Sequence, residues 1–200
     1  MPKLLSKTSK MPGSSFSTSA FACQTGSKLA KIEGSVCNKC YARKGFYHMP
    51  NVKAAQEWRL EFMQTAAFVD TMIEEIGDEK YFRWFDAGDV QSVSDCLKII
   101  TICLKTPRTK HWCPTKEAKY WSQALEMVDL PKNLIVRLSA PMVGDRISVG
   151  WTTHTSSVLP QGASEARMGR VCPAPTQNNT CGDCRACWDK RVTNIVYKEH

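Results

Sequence analysis

The spacing of apolar residues predicts an alternation of helices and strands through the middle of the chain. Over residues 51–76 an apolar side chain recurs every three or four positions, which predicts one long helix capped by Asn51. Short runs rich in aromatic and β-branched residues predict strands at 81–85, 109–113 and 133–138. Helical patterns separate these strands, so the central segment follows a strand–helix–strand order.

Capping signals mark the two helices between the predicted strands. Ser92 with Asp95 caps a helix that runs to Lys105, and Thr115 caps another that ends before Pro131. Strands and helices in this order are spaced as βα units are, which favours parallel pairing with right-handed crossovers.

The fold class that we predict is α/β, a truncated parallel (βα) barrel-like sheet with helices outside and a Cys-rich, loop-rich C-terminal extension. Two further strands, one over 15–21 and one within 143–158, complete the sheet. A chain of 200 residues has room for about half of a full barrel. We predict two domains, the partial barrel over 1–158 and the Cys-rich extension over 159–200, packed on it.

Polar residues and a glycine follow three successive strands of the predicted sheet. They are Asp86, Gly88, Asp89, Thr115, Lys116 and Ser139. In βα folds the carboxyl ends of parallel strands meet at one edge, where ligands bind. We expect the two aspartates and the lysine to be catalytic contacts to a small molecule, and the other three residues to bind a cofactor. The alternative is that several of them are ordinary turn and capping residues.

The net charge of +8 is concentrated in the first quarter of the chain. Residues 1–50 contain eight basic residues and one acid, whereas residues 51–100 contain five basic and ten acidic residues. Such a basic segment is typical of contacts with nucleic acid or an acidic partner, or it surrounds an anionic metal centre. Neither a membrane span nor a secretory signal is recognisable, so we expect a cytoplasmic protein with reduced cysteines.

Seven of the ten cysteines fall into two groups, and three are isolated. The first cysteine group consists of Cys23, Cys37 and Cys40. The second cysteine group consists of Cys172, Cys181, Cys184 and Cys187. The isolated cysteines are Cys96, Cys103 and Cys113. Of these, the first two lie seven positions apart in an apolar helical pattern, which predicts core thiols.

The second group has a spacing that is typical of iron–sulfur proteins, in which a Cys-x2-Cys-x2-Cys run is completed by a distant cysteine. It therefore predicts a cluster, most simply [4Fe–4S], with zinc as the alternative. The first group offers three thiols for a second cluster, whose remaining iron would be open to a ligand or held by His48 or Cys113. His111 and Cys113 alternate with Trp112, so we expect them to share a face, directed to the barrel interior.

Four short motifs follow one another along the chain. They are CNKCYARKG at 37–45, RWFDAGD at 83–89, PTK at 114–116, and the final Cys-rich run with Trp188. In this order they resemble the phage gene-product-88 family, from about residue 12 to the end. The resemblance implies a phage-encoded protein that acts in the cytoplasm of a host bacterium, and it assigns no reaction.

The three-cysteine loop after the first predicted strand is also similar to that of radical-SAM enzymes. Those enzymes have a partial parallel βα barrel, and the open iron of their [4Fe–4S] cluster binds S-adenosylmethionine. The resemblance implies this cofactor and a second cluster near the C-terminus. The spacing here differs from their C-x3-C-x2-C, and Tyr41 follows the last cysteine rather than preceding it. These differences count against S-adenosylmethionine but not against the cluster.

Three functions are compatible with these patterns. We favour an iron–sulfur protein with two clusters that performs redox or radical-SAM-like chemistry on a small molecule, with electrons from a donor protein. The second is a pure electron-transfer protein with an acidic partner. The third is a zinc-stabilised nucleic-acid-binding protein, in which Tyr41, Phe46 and Tyr47 stack on bases among basic residues.

Overall fold

The structure is a computed structural model that describes residues 2–160, 162–163 and 168–199. In this part of the chain eight strands form one sheet in the order β1-β2-β3-β4-β5-β6-β8-β7. They are β1 (Ser6–Lys7), β2 (Ser14–Phe16), β3 (Tyr81–Trp84), β4 (Lys110–Thr115), β5 (Leu134–Ser139), β6 (Thr155–Leu159), β7 (Arg170–Val171) and β8 (Asn194–Lys198). No helix of the described residues is long and apolar enough to cross a membrane.

Parallel pairing dominates the sheet. Only β1 runs antiparallel to its neighbour β2, and the pairs from β2 to β7 along the sheet are all parallel. The sheet does not close, because β1 and β7 form its two edges. The predicted α/β class with a truncated, barrel-like parallel sheet is confirmed.

Five α-helices accompany the sheet within the described residues. They are α1 (Gln24–Leu29), α2 (Pro50–Phe62), α3 (Phe68–Ile76), α4 (Val93–Lys105) and α5 (Ala118–Met127). The cap of α4 is confirmed, since Ser92 Oγ accepts a hydrogen bond of 3.2 Å from the Asp95 amide. The cap of α5 differs from the prediction. Thr115 belongs to β4, and Glu117 occupies the N-cap position of α5.

The prediction of one helix over 51–76 is wrong, because the helix is interrupted after Met63. Lys98 Nζ donates to the Met63 carbonyl at 2.7 Å, and Gln64 Nε2 donates to Asp95 Oδ1 at 3.1 Å. Thr65 Oγ1 donates to the Phe62 carbonyl at 2.8 Å. These bonds satisfy polar groups where α2 ends, and α3 begins as a separate helix at Phe68 and buries Phe68, Met72 and Ile76 in the core.

Three strands, the two-residue β1 and β7 and the longer β8, lie where the sequence patterns predict none. β8 pairs in parallel with β6 from Thr155 opposite Asn194 to Leu159 opposite Lys198. The residues 195–197 form a short apolar run that is too brief to distinguish from loop by periodicity. The division into domains at residue 158 stays a prediction, and β8 shows that residues beyond it complete the same sheet.

The hydrophobic core lies between the sheet and helices α3, α4 and α5. Its sheet side includes Phe16, Phe82, Trp84, Leu134 and Val136. We call this side of the sheet the helix face. Because neighbouring residues of a strand point to opposite sides, the residues between these ones form the open face.

The helix face also contains His111 and Cys113, which corrects the expectation that they face a barrel interior. They do share one face, as predicted, but Cys113 is fully buried in the helical core. His111 Nε2 lies 2.8 Å from Thr106 Oγ1, directly after α4, and its ring stacks on Trp84 with centroids 6.2 Å apart. The alternation of residues along a strand shows which side chains share a face of the sheet. It does not show which face the helices cover.

The open face is covered by the Cys-rich extension. Trp188 Nε1 donates to the Phe82 carbonyl at 2.9 Å. The Trp188 ring packs edge-on against Tyr81 of β3 and Trp112 of β4, with centroids 5.4 and 5.3 Å away. Arg185 lies over the Tyr81 ring at 5.2 Å. The sheet therefore carries helices on one side and the cysteine-rich segment on the other.

The buried imidazole of His111 is expected to make stability fall in mild acid. Burial lowers the pKa of His111 to about 4, whereas its ordinary value is 6.5. As the pH falls from 6.5 to 4, the unfolded chain takes up a proton that the folded protein resists, so the His111 contribution to the free energy of unfolding falls by about 3 kcal/mol.

The test compares the wild type with His111→Gln by urea unfolding at several pH values. The difference between their free energies of unfolding should fall towards pH 4. Asp89 acts in the opposite direction: burial raises its pKa from 3.8 to about 7, so it makes the folded protein more stable as the pH falls. Both proteins contain Asp89, so its contribution cancels in the difference. Parallel curves for the two proteins would show that His111 is not the linked group.

Candidate metal centres

The carboxyl ends of β2, β3, β4 and β5 meet at one edge of the sheet, which we call the strand-end edge. The Thr18 amide, after β2, donates to the Ala87 carbonyl after β3 at 3.0 Å. Lys116 Nζ, after β4, donates to the Ala140 carbonyl after β5 at 2.7 Å. These links place the loops of the first cysteine group beside one another.

Gly88 permits the close approach of the loops after β2 and β3. Its φ angle is +85°, and a methyl group at this position would lie 2.0 Å from Thr18 Oγ1 and 2.8 Å from the Thr18 carbonyl. Both the conformation and the lack of space exclude a side chain. Gly88 therefore has a role in the packing of the two loops, and its role in binding a cofactor stays a prediction.

Asp89 ties the end of β3 to the end of β4. Its Oδ1 accepts hydrogen bonds from Thr115 Oγ1 at 2.7 Å and from the Val90 amide at 2.9 Å, and its Oδ2 accepts one from the Lys116 amide at 2.8 Å. Burial raises the pKa of Asp89 to about 7, although these three donors act to lower it. Asp89 and Thr115 thus make the contacts of turn and capping residues.

Cys23 is held at the start of α1 by two polar anchors. Glu117 accepts hydrogen bonds from the Thr25 amide and the Thr25 hydroxyl, both at 2.7 Å, which ties α1 to the end of β4. Arg43 Nη2 donates to the Ala20 carbonyl at 3.1 Å and also bonds to Ser27 Oγ. Arg43 belongs to the CNKCYARKG motif that also contains Cys37 and Cys40. The motif is therefore hydrogen-bonded to the turn that carries Cys23.

Cys37 and Cys40 lie on one tight turn next to Cys23. The Cys40 amide donates to the Cys37 carbonyl at 3.2 Å. A methyl group built on Gly26 would lie 3.7 Å from Cys23 Sγ and 3.7 Å from Cys37 Sγ, so the two sulfur atoms are at most twice this distance, about 7.4 Å, apart. Cys23 and Cys40 also pack together against a small cluster that includes Ala87. The structure thus places the three residues of the first group in one region of the strand-end edge, with the Cys23 and Cys37 sulfur atoms within about 7.4 Å of each other.

Burial and mutual proximity oppose ionisation of these thiols. Burial raises the pKa of Cys23, and Asp89, Cys40 and Cys37 raise it further. The pKa of Cys37 is raised by burial too, while Lys116 and Arg43 act to lower it. Metals bind the thiolate form of cysteine, and the positive charge of a bound metal would lower the pKa of these thiols.

The second cysteine group lies around one pocket on the open face. All four of its thiol residues line that pocket, together with Trp188 and Ile195. The Cys172 amide donates to the Val196 carbonyl of β8, and the Cys181 amide donates to the Lys10 carbonyl, both at 2.8 Å. Backbone hydrogen bonds therefore fix the two ends of the group to separate parts of the chain.

Cys187 has the most structured surroundings of the second group. Its Sγ lies 3.8 Å from the Tyr197 hydroxyl. Burial raises the pKa of Cys187 to about 12, with Tyr197, Arg137 and Arg83 acting in the opposite direction. Cations thus accompany both cysteine groups.

Arg137 is a fully buried cation on the open face beside Cys187. Its guanidinium donates to the backbone carbonyls of the turn that carries this cysteine and of the strands on either side. The acceptors are Thr155, Ala186, Cys187, Asp189 and Thr193, at distances of 3.1 to 3.5 Å. No carboxylate pairs with it among the described residues. A single charged residue inside the apolar run NLIVRL is the sequence signal that marks it.

A family model described as Gene product 88 matches residues 3–190. The chain belongs to the Gene product 88 family. The resemblance to this phage family is thereby confirmed for nearly the whole chain. No curated protein and no solved structure matches the chain significantly.

Asp86 lies apart from the thiols in this Gene product 88 protein. Its Oδ2 accepts a hydrogen bond of 3.2 Å from the Tyr47 hydroxyl, and its backbone carbonyl accepts one from the Tyr41 hydroxyl. Ser139 lies at the other end of the edge, where its Oγ accepts a 3.0 Å bond from Ser156. Lys116 and Asp89 are the members of the predicted set whose charges act on the first group: the thiols act against the lowering of the Lys116 pKa by burial, and Asp89 raises the pKa of Cys23.

Arg83 lies between the two cysteine groups. Its Nη2 lies 3.4 Å from the Tyr41 hydroxyl, next to Cys40, and its guanidinium stacks over Trp112 at 4.7 Å. Burial alone would lower the pKa of Arg83, but the neighbouring Tyr41, Asp86 and Tyr197 outweigh it and raise that pKa. Tyr197 contacts Cys187 in turn, so polar side chains connect the two groups.

The remaining cysteines and the suggested fourth ligands lie elsewhere. Cys96 and Cys103 are fully buried in the core, which confirms their prediction as core thiols. Cys113 is buried with them on the helix face, and His48 lies exposed with Nε2 on the Arg43 carbonyl. Within residues 2–160, 162–163 and 168–199, no group of three or more His, Cys, Asp or Glu side chains is arranged so that it could hold a metal ion.

Proposed function

We propose that this Gene product 88 protein holds an iron–sulfur cluster at each cysteine group, most simply [4Fe–4S], and uses the pair for redox chemistry on a small molecule. The donor sets fit such groups. Two thiols of the first group lie near each other at the strand-end edge, and all four residues of the second group line one pocket, three of them in the C-x2-C-x2-C spacing of cluster-binding loops. A bound cluster supplies one-electron transfer.

The observation that carries the proposal is the buried charge of Arg137. A guanidinium without a carboxylate partner is costly in the interior unless an anionic group lies near it. Burial lowers the pKa of Arg137, and among the groups that act to raise this pKa the Cys187 thiol has the largest effect, ahead of Tyr197 and Asp189. A four-iron cluster with four thiolates carries a charge of about −2, so this group would balance the arginine.

The arrangement of residues between the groups supports transfer of electrons from the second group to the first. Arg83 adjoins Tyr41 on one side and Tyr197 on the other. Tyr41 follows Cys40, and Tyr197 contacts Cys187. The first group faces the strand-end edge, where Lys116 would contact the bound molecule.

The simplest test is the visible absorption of protein purified without oxygen. The proposal predicts a brown protein whose absorption is bleached by dithionite and returns on oxidation. A colourless preparation that contains stoichiometric zinc would support the zinc alternative instead.

Radical-SAM-like chemistry is the second candidate, and the strand order favours it. Six strands, β2 to β6 and β8, run parallel in chain order, and the three-thiol loop follows the first of them. Anaerobic incubation with S-adenosylmethionine and dithionite would then yield 5′-deoxyadenosine. If none forms, and the spectrum of the reduced protein does not change on adding S-adenosylmethionine, the redox proposal stands without this cofactor.

A further inference from the structure

A cavity of about 420 Å³ opens at the strand-end edge, beside the first cysteine group but lined by no thiol. Its wall includes Ser17 after β2, Asp86 after β3, Phe46 and Tyr47 from the loop before α2, and Gln56 and Arg59 from α2. A volume of this size is typical of small-molecule sites.

The helix that forms one wall of the cavity buries polar side chains. Gln56 and Arg59 are the buried residues of α2, whereas a helix packed on a sheet normally buries an apolar stripe. Burying an amide and a guanidinium is costly unless they are bonded. Their position in the cavity wall indicates a polar ligand.

Arg59 offers a positive charge with donors to spare. Its Nε and Nη2 donate to the Lys3 carbonyl at 3.0 and 2.6 Å, and its Nη1 donates to Ser17 Oγ at 3.0 Å. These bonds use three of the five N–H groups of a guanidinium. Two remain for an anionic group, and none of the ion pairs among the described residues involves Arg59.

Asp86 offers a negative charge with a free acceptor. The residue is only 7% exposed, its Oδ2 is bonded to Tyr47, and its Oδ1 has no hydrogen-bond partner among the described residues. A buried carboxylate oxygen left without a donor costs free energy that a ligand would recover. Asp86 Oδ1 can therefore accept a hydrogen bond from a ligand, and a cationic donor would bind it most strongly.

We infer that this cavity binds a small zwitterion of the α-amino-acid type, with its ammonium group on Asp86 and its carboxylate on Arg59. The two side chains line one cavity without pairing with each other, so opposite charges are presented side by side. Phe46, Val52 and Ala55 supply apolar surface for the ligand side chain. The inference goes beyond the proposed function, since no metal takes part in it.

Isothermal titration calorimetry of the full chain with each of the twenty L-amino acids tests the inference. At least one amino acid should bind with a dissociation constant below about 1 mM. Its N-acetyl derivative, which lacks the ammonium group, and its decarboxylated amine should each bind at least about tenfold more weakly. The inference is overturned if no amino acid binds at about 10 mM, or if either analogue binds as tightly as the amino acid itself.

Protein variants provide the second arm. Asp86→Asn keeps the shape of the side chain and should weaken binding at least about tenfold, whereas Asp70→Asn on the exposed surface of α3 should leave it unchanged. Unaltered affinity in Asp86→Asn would also overturn the inference. Calorimetry measures binding rather than iron content, so this test and the cluster proposal fail independently of each other.

Discussion

Replacement of Gly88 by alanine is expected to lower the free energy of unfolding by about 2 to 5 kcal/mol. Two costs combine. The φ angle of +85° is unfavourable for any L-residue with a side chain, and the new methyl group would lie 2.0 Å from Thr18 Oγ1. The loops after β2 and β3 must then separate, which displaces the segment that carries Cys23.

Urea unfolding of Gly88→Ala and Gly150→Ala provides the comparison. Gly150 is a matched control, because its φ is outside the left-handed region and a methyl group there would meet nothing within 4 Å. The control should unfold close to the wild type, within about 0.5 kcal/mol. Equal stability of the two variants would contradict the close packing of the strand-end edge.

Serine replacement of one cysteine group at a time is expected to remove about half of the bound iron. Two four-iron clusters hold about eight iron atoms in each chain, so Cys37→Ser with Cys40→Ser should leave about four. Cys184→Ser with Cys187→Ser should also leave about four. Serine keeps the size of the side chain but removes the thiolate that binds iron.

The control for both pairs is Cys103→Ala, since Cys103 is fully buried in the helical core and belongs to neither group. This variant should retain about eight iron atoms per chain. If either pair of serine substitutions removed all the iron, the two groups would share one site. An unchanged iron content in both pairs would exclude the assigned ligands.

Local signals in the sequence were sufficient for most of the elements. The Ser92 cap, the strands from 81 to 139 and the core thiols Cys96 and Cys103 follow from patterns within a few residues. The break after Met63 could not be predicted in this way. It depends on Lys98 and Gln64 reaching across between α2 and α4, which is a tertiary effect.

The candidate site was predictable in its thiols but not in its charges. Cysteine spacing is local and easily read, and the structure brings together the members of each group. The different surroundings of Asp86 and Asp89 could not be predicted, because both residues follow the same strand. They differ only in their tertiary partners, which are Tyr47 for Asp86 and Thr115 for Asp89. Arg59 could not be found either, since its role depends on which face of α2 meets the sheet.

The content of iron, sulfide and zinc in anaerobically isolated protein decides whether this chain holds two iron–sulfur clusters. Mössbauer spectroscopy of the same sample identifies the type of cluster. We expect about eight iron atoms and eight sulfides per chain, with the spectrum of [4Fe–4S] centres and little zinc. Stoichiometric zinc with neither iron nor sulfide would contradict the two-cluster proposal.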